Sequence, residues 1–246
     1  MWPYPKILAH RGGGKLAPEN TLAGFRIGLE HGFRAAEFDV MLARDGVPVV
    51  LHDPHLGRTV NGSGSVFDYD AAELQSLDAG SWFGAAYAGV TVPSYEEVLR
   101  FCQQHGIWMN VELKPAPGFE TDTGRVVAEY TARHFRAGDK LLPEFSSFEP
   151  AALDGARAVA PWIPRGRLFD RLPADWLEQA RAQDVIAIHC NHRYLTPALA
   201  VAVKQAGYGL FCYTVNDPRR ARTLLRWGVD AFCTDRIDRI GPDFAD

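Results

Sequence analysis

Glu37-Phe38-Asp39 sets two carboxylates two residues apart, and Glu112-Leu113-Lys114 sets an acid and a base at the same spacing. In an extended strand, residues i and i+2 share a face, so each pair points one way. Two acids on one buried face repel strongly unless a cation lies between them. Oxygen ligands favour one hard divalent ion, Mg²⁺ or Ca²⁺, with Mn²⁺ also suited. Glu112 can supply a third carboxylate, and Lys114 a positive charge for an anionic substrate. The plainer alternatives are strand-end acids facing solvent or an arginine, and a surface Glu–Lys pair. His10-Arg11-Gly12 follows another short apolar run. Together His10 and His52 offer an acid and a base. Arg11 offers a planar fork for phosphate oxygens, and Gly12-Gly13-Gly14 lets backbone approach a ligand closely.

These groups need elements to hold them. Short apolar runs alternate with longer amphipathic ones, the pattern of parallel βα units. Strands are predicted over residues 7–10, 35–40, 47–52, 108–113, 141–146, 166–170, 185–189, 209–214 and 230–234. Helices are predicted over 21–31, 95–105, 123–135, 150–158, 174–181, 197–206 and 218–227. Nine strands are one too many for an eight-stranded barrel. Residues 41–46 are too few for a parallel crossover, which takes a dozen or more. Asp45-Gly46 is a strong two-residue hairpin turn, so 47–52 folds back on 35–40. That turn puts Asp39 opposite His52, with Cβ atoms roughly 5 Å apart.

The other eight strands give an α/β fold, a (β/α)8 TIM barrel. Residues 54–93 form a small inserted subdomain after the hairpin on the second strand. It holds a helix near 71–77 and the aromatics Trp82, Phe83 and Tyr87, read as capping its small core. Barrel active sites lie on the rim where strands end, and His10, the Glu37/Asp39 pair and Glu112 all fall there. Asn20 is a good N-cap for the first helix. The remaining histidines, His31, His55, His105, His134, His189 and His192, read as structural or surface residues.

The length of 246 residues suits one barrel domain over 1–246. With 26 basic and 30 acidic residues the formal charge is −4, and no basic excess points to nucleic acid. The four cysteines lie in apolar runs without zinc-type spacing, so free buried thiols are expected. The first residues lack the form of a signal peptide, and no apolar run reaches membrane-spanning length, so a cytoplasmic protein without stable membrane insertion is expected. Nothing in the composition fixes an oligomeric state.

In order along the chain stand His10-Arg11-Gly12, Pro18-Glu19-Asn20-Thr21, Glu37-Phe38-Asp39-Val40, Asp45-Gly46, His52-Asp53, Arg58-Thr59 and Leu77-Asp78-Ala79-Gly80-Ser81-Trp82-Phe83. Glu112-Leu113-Lys114, Ser146-Ser147-Phe148, Thr214-Val215-Asn216-Asp217-Pro218, Gly228-Val229-Asp230 and Thr234-Asp235 follow. This ordered set resembles the glycerophosphodiester phosphodiesterase family nearly end to end. The resemblance implies a barrel with an inserted subdomain and a metal-dependent phosphoric diester hydrolase. Its substrate would be a small glycerophosphodiester such as glycerophosphocholine or glycerophosphoethanolamine, cleaved to glycerol 3-phosphate and an alcohol. It implies Glu37, Asp39 and Glu112 as metal ligands, His10 and His52 as acid and base, and Arg11 and Lys114 as phosphate ligands. Glu19 and Asn20 carry over to the rim, with Asn20 a metal or phosphate neighbour as an alternative to its N-cap role. Tyr213 stands where the family often has Trp, which keeps a flat face and adds a hydroxyl near the head group. Cleavage of lysophospholipids or phosphoinositides, with the insertion's aromatics as an acyl-binding wall, is the alternative substrate reading. A non-catalytic phosphate-ester-binding barrel is a further one, disfavoured because all seven core groups are present. Metal-assisted enolisation fits the paired histidines and Arg11 less well.

Overall fold

Eight short apolar strands pair in parallel and close into a ring in the computed structural model, which describes residues 2–245. In chain order the elements are β1 (Ile7–His10), α1 (Leu22–Glu30), β2 (Ala35–Leu42), β3 (Pro48–Val50), α2 (Ala71–Gln75), α3 (Tyr95–His105) and β4 (Trp108–Leu113). There follow α4 (Glu120–His134), β5 (Glu144–Ser147), α5 (Pro150–Val159), β6 (Arg165–Phe169), α6 (Trp176–Ala182) and β7 (Ala187–Asn191). The last are α7 (Pro197–Gln205), β8 (Gly209–Tyr213), α8 (Pro218–Arg226) and β9 (Ala231–Thr234). Around the ring the order is β1, β2, β4, β5, β6, β7, β8, β9 and back to β1, with β3 hydrogen-bonded antiparallel to β2. This is the (β/α)8 TIM barrel expected, with extra elements. The strands are buried along nearly their whole length, as a sheet covered on both faces requires. Trp2 and Tyr4 pack against Leu8, Trp108 and Phe211, and Tyr4 stacks on Trp108 with ring centroids 4.5 Å apart. His189 is wholly buried, with Nε2 3.3 Å from Glu144 Oε2, in keeping with a structural role.

The hairpin differs from expectation by one residue. Its loop has three residues, Arg44-Asp45-Gly46, closed by Ala43 N–H donating to Val47 O at 3.0 Å. Gly46 takes φ +76°, the left-handed position that such a loop assigns to glycine. The register is therefore Val40 with Val50 and Met41 with Val49, and Leu51 N–H donates to Asp39 O at 3.1 Å. Asp39 faces Leu51, not His52. Because β3 ends at Val50, His52 lies beyond the pleat and reaches the rim from a bend.

Two further expectations change. The N-cap of α1 is Thr21, whose Oγ1 accepts from Gly24 N–H at 3.1 Å. Asn20 instead adopts φ +56°, a left-handed conformation that Asn tolerates, with its side chain turned inward. The insertion has its own core of Val60, Val66, Leu74 and Ala79, packed on Val49 and Leu51. Trp82, Phe83 and Tyr87 are not in that core. They form an edge-to-face chain at 5.6 and 5.3 Å. Arg44 fastens the hairpin turn to α2, with Nε 2.9 Å from Asp70 and NH2 3.2 Å from Glu73. Asp78 ties the aromatic turn together. It accepts from the backbone N–H groups of Gly80, Ser81 and Gly89 at 3.0, 2.7 and 2.6 Å.

Candidate active site

The first two strands bring His10 and Glu37 side by side, because β1 and β2 pair His10 with Glu37. The next pairing sets Asp39 against Glu112 on β4. Strand alternation then turns Glu37, Asp39 and Glu112 to the same side of the ring. Their carboxylate oxygens lie within 4.8 Å of one another. Glu37 and Asp39 are buried and Glu112 is nearly so. Burial, then Asp39 and Glu37, push the Glu112 carboxyl up to about 8. Burial and Asp39 push Glu37 up to about 7, against the pull of His10. Burial works the same way on Asp39, but Arg11, Lys114, His52 and the amide of Asn20 outweigh it and hold Asp39 below the usual range. Three carboxylates clustered in this way are a donor set that could hold a hard divalent cation. The thiol of Cys233 is near His10 and Glu37, but a soft sulfur suits a hard, oxygen-seeking cation less than the three carboxylates do.

Cations surround the triad. Lys114 Nζ lies 3.7 Å from both Asp39 Oδ1 and Glu112 Oε1. Arg11 NH1 donates to Glu19 Oε1 at 2.6 Å, and its backbone N–H points at Glu37 Oε2 at 3.4 Å. The Arg11 Nε is buried, 3.5 Å from Asp39 Oδ2, and makes no hydrogen bond among the described residues. Arg11 itself sits at φ +51°, a strained conformation for a residue with a side chain. Asn20 Nδ2 donates to Asp39 Oδ2 at 2.8 Å, and Asp39 N–H returns a bond to Asn20 Oδ1 at 3.3 Å.

Each imidazole has an acid behind it. His10 Nδ1 is 2.6 Å from Asp235 Oδ1, while Nε2 faces Glu37 Oε2 at 3.6 Å. Burial alone would lower the His10 value, but Glu37 and Asp235 raise it. His52 Nδ1 is 2.6 Å from Asp53 Oδ1, and burial lowers this imidazole despite the nearby Asp39. Asn216 orients Asp235, with Nδ2 2.7 Å from Oδ2. Asp235, Asp53 and Arg58 stood in the matched strings without any role. Asp235 could have been found: it follows the last strand, which a closed barrel must lay against β1.

Beside His10 opens a cleft of about 500 Å³ lined by Arg11, Lys15, Glu19, Arg58, Trp82, Phe83 and Asp235. Trp82 and Phe83 thus wall the cleft instead of capping the insertion, and Tyr87 packs edge-on against Phe83. Tyr213 stands at the end of β8, edge-on to Phe148 at 6.0 Å. Its hydroxyl donates to Phe169 O at 2.9 Å, so the ring presents its apolar surface and the added hydroxyl is committed to the scaffold.

Known proteins match this arrangement over almost the whole chain. The model of the glycerophosphoryl diester phosphodiesterase family fits residues 10–239. A glycerophosphodiester phosphodiesterase of Caldanaerobacter subterraneus is 31% identical over 233 residues, covering 93% of this chain and 93% of its own. One from Bacillus altitudinis is 32% identical over 256 residues, covering 95% and 96%. An Oleispira antarctica phosphodiesterase, solved in complex with the product sn-glycerol-3-phosphate, superposes with a TM-score of 0.91 at 37% identity, covering 96% and 95%. With two imidazoles and three buried acids on one rim of the barrel, and with matches of this extent, the chain belongs to the glycerophosphoryl diester phosphodiesterase family and is an enzyme of that class.

Proposed function

We propose that this protein hydrolyses small glycerophosphodiesters to glycerol 3-phosphate and an alcohol, with residues 1–246 acting as one catalytic unit. The observation that carries the reading is the meeting of His10, His52 and three buried carboxylates at the rim beside the cleft. It is supported by the Oleispira relative crystallised with sn-glycerol-3-phosphate.

Glu37, Asp39 and Glu112 would hold one divalent cation, Mg²⁺ or Ca²⁺, with Mn²⁺ also suited. Such an ion, when bound, supplies neutralising charge for the phosphoryl oxygens. Arg11 and Lys114 bind those oxygens and stabilise charge as it develops. One imidazole removes the proton of the nucleophile, either water or the glycerol 2-hydroxyl, and the other returns a proton to the leaving alkoxide; where the 2-hydroxyl attacks, water then opens the cyclic phosphate to glycerol 3-phosphate. Asp235 and Asp53 bond the Nδ1 atoms and so hold each Nε2 toward the substrate. Asn20 fixes the orientation of Asp39, and Glu19 that of Arg11. Tyr213, at the rim end of β8, would contact the head group through its ring. Buried thiols at Cys102, Cys190, Cys212 and Cys233, none in a disulfide, support the cytoplasm as the place of action. Among the described residues no helix is long and apolar enough to cross a membrane.

The test is release of glycerol 3-phosphate from glycerophosphocholine by EDTA-treated protein, with and without added Mg²⁺, Mn²⁺ or Ca²⁺. Release restored by metal is expected. Absence of release with every metal would defeat the assignment. Lysophosphatidylcholine run in parallel should turn over more slowly; faster turnover would reassign the Trp82–Phe83 wall to an acyl chain.

A further inference from the structure

Arg58 has no part in the roles assigned above, yet its guanidinium reaches both halves of the site. It belongs to the inserted segment, and its side chain is 48% exposed. NH1 donates to Glu19 Oε2 at 3.0 Å and NH2 to Glu19 Oε1 at 2.7 Å, a two-pronged contact. Nε donates to Asp53 Oδ2. Glu19 Oε1 also accepts from Arg11 at 2.6 Å, and Asp53 Oδ1 bonds His52 Nδ1 at 2.6 Å. One planar group therefore joins His52 to Arg11 through a single carboxylate on each side.

Stability is only part of the explanation for this arrangement, since Arg58 is half exposed although Glu19 and Asp53 are mostly buried. Orientation is the other part. Asp53 fixes the imidazole of His52 only while its own carboxylate plane is fixed, and Glu19 stands in the same relation to Arg11. Asp53 gives Oδ1 to His52 and Oδ2 to Arg58, whereas Glu19 gives both oxygens to Arg58 and shares Oε1 with Arg11. A lysine there would keep the charge but lose the fork that matches two carboxylates at once.

We infer that Arg58 is a positioning residue for diester hydrolysis, whose fork fixes Asp53 and Glu19 and so sets His52 and Arg11 in place relative to each other. The inference rests on the reading that His52 moves a proton and Arg11 binds phosphoryl oxygens. Because Arg58 comes from the insertion, it also makes turnover depend on how that segment is seated.

The test uses the full chain with Mg²⁺ and glycerophosphocholine, measuring kcat, KM and Tm. The variants are Arg58→Ala, Arg58→Lys, Asp53→Asn and the Arg58→Ala/Asp53→Asn double. Arg44→Ala is the control, because Arg44 makes a similar two-acid contact in the same region with none of the site residues. In Arg58→Ala, kcat should fall about 10- to 100-fold, the usual loss when an orienting partner is removed. Arg58→Lys should recover little of it, and Arg44→Ala should keep wild-type kcat. Asp53→Asn should cost far less in the Arg58→Ala background than alone, because both act through His52. Unchanged kcat in Arg58→Ala overturns the inference. So do equal losses in Arg44→Ala, or single losses that simply multiply in the double variant. If Arg58→Ala does not fold, Arg58→Lys carries the same comparison. Full turnover in His52→Ala and Arg11→Ala would sink the reading of the site and the clamp together. Loss of turnover there with Arg58→Ala unaffected would sink the clamp alone.

Discussion

Glu112 shows how a single side chain comes to want a metal. It ends a buried strand between Asp39 and Lys114, and burial among like charges disfavours its anion. Glu112→Gln keeps the shape and removes the charge. It should weaken Mg²⁺ binding by at least about tenfold, since even outer-shell partners cost that much. Isothermal titration would show it, and unchanged affinity would remove Glu112 from the ligand set. Glu37, Asp39 and Glu112 could be read from sequence because carboxylates at i and i+2 stand out in apolar strands. Asn20 was harder, since a helix N-cap and a carboxylate neighbour demand the same residue type one position apart. Asp53 and Arg58 were harder still. Their partners are set by the path of the insertion, which no periodicity encodes.

At the scale of elements, the hairpin shows the limit of turn reasoning. Asp-Gly is compatible with a two-residue loop or with a three-residue loop ending on a left-handed glycine, and the choice moves the register by one. Asp39 still lies within electrostatic reach of His52, because the chain leaves the strand before His52 and bends toward the rim. The barrel strands were legible because each is a short apolar run bounded by turn residues. The seat of Trp82, Phe83 and Tyr87 was not, since an aromatic cluster reads equally as core or as cleft wall. Asp78 holds that wall, and its three backbone N–H bonds and the Ser81 hydroxyl lower its carboxyl from 3.8 to about 2. A depressed value means the stabilisation is complete above about pH 4 and fades as pH falls toward 2. Asp78→Ala should therefore lower Tm at pH 7, and the gap to wild type should narrow below pH 4. A gap that stays constant down to pH 2 would show that the charge of Asp78 is not what holds the turn.

For the molecule as a whole, a cation held by Glu37, Asp39 and Glu112 would couple folding to ion binding. The three acids come from β2 and β4 and are close together only when those strands pair. A cation bound there would favour the folded chain by an amount that grows with the logarithm of its concentration over Kd, about 2.7 kcal/mol at a hundredfold excess. For a domain of this size, that corresponds to about 5–10 °C in Tm. Scanning calorimetry of EDTA-treated protein with and without Mg²⁺ should show the shift, and Glu37→Gln/Glu112→Gln should abolish it. A shift that survives in that variant would place the stabilising ion elsewhere. The closed ring has one more consequence, in the order of synthesis. His10 lies near the start of the chain and its partner Asp235 is 225 residues later, brought beside it only by the pairing of β1 with β9. A ribosome therefore adds 225 residues after His10 before that dyad can exist. A C-terminally clipped chain leaves His10 without its acid, so turnover reports that the last strand has docked.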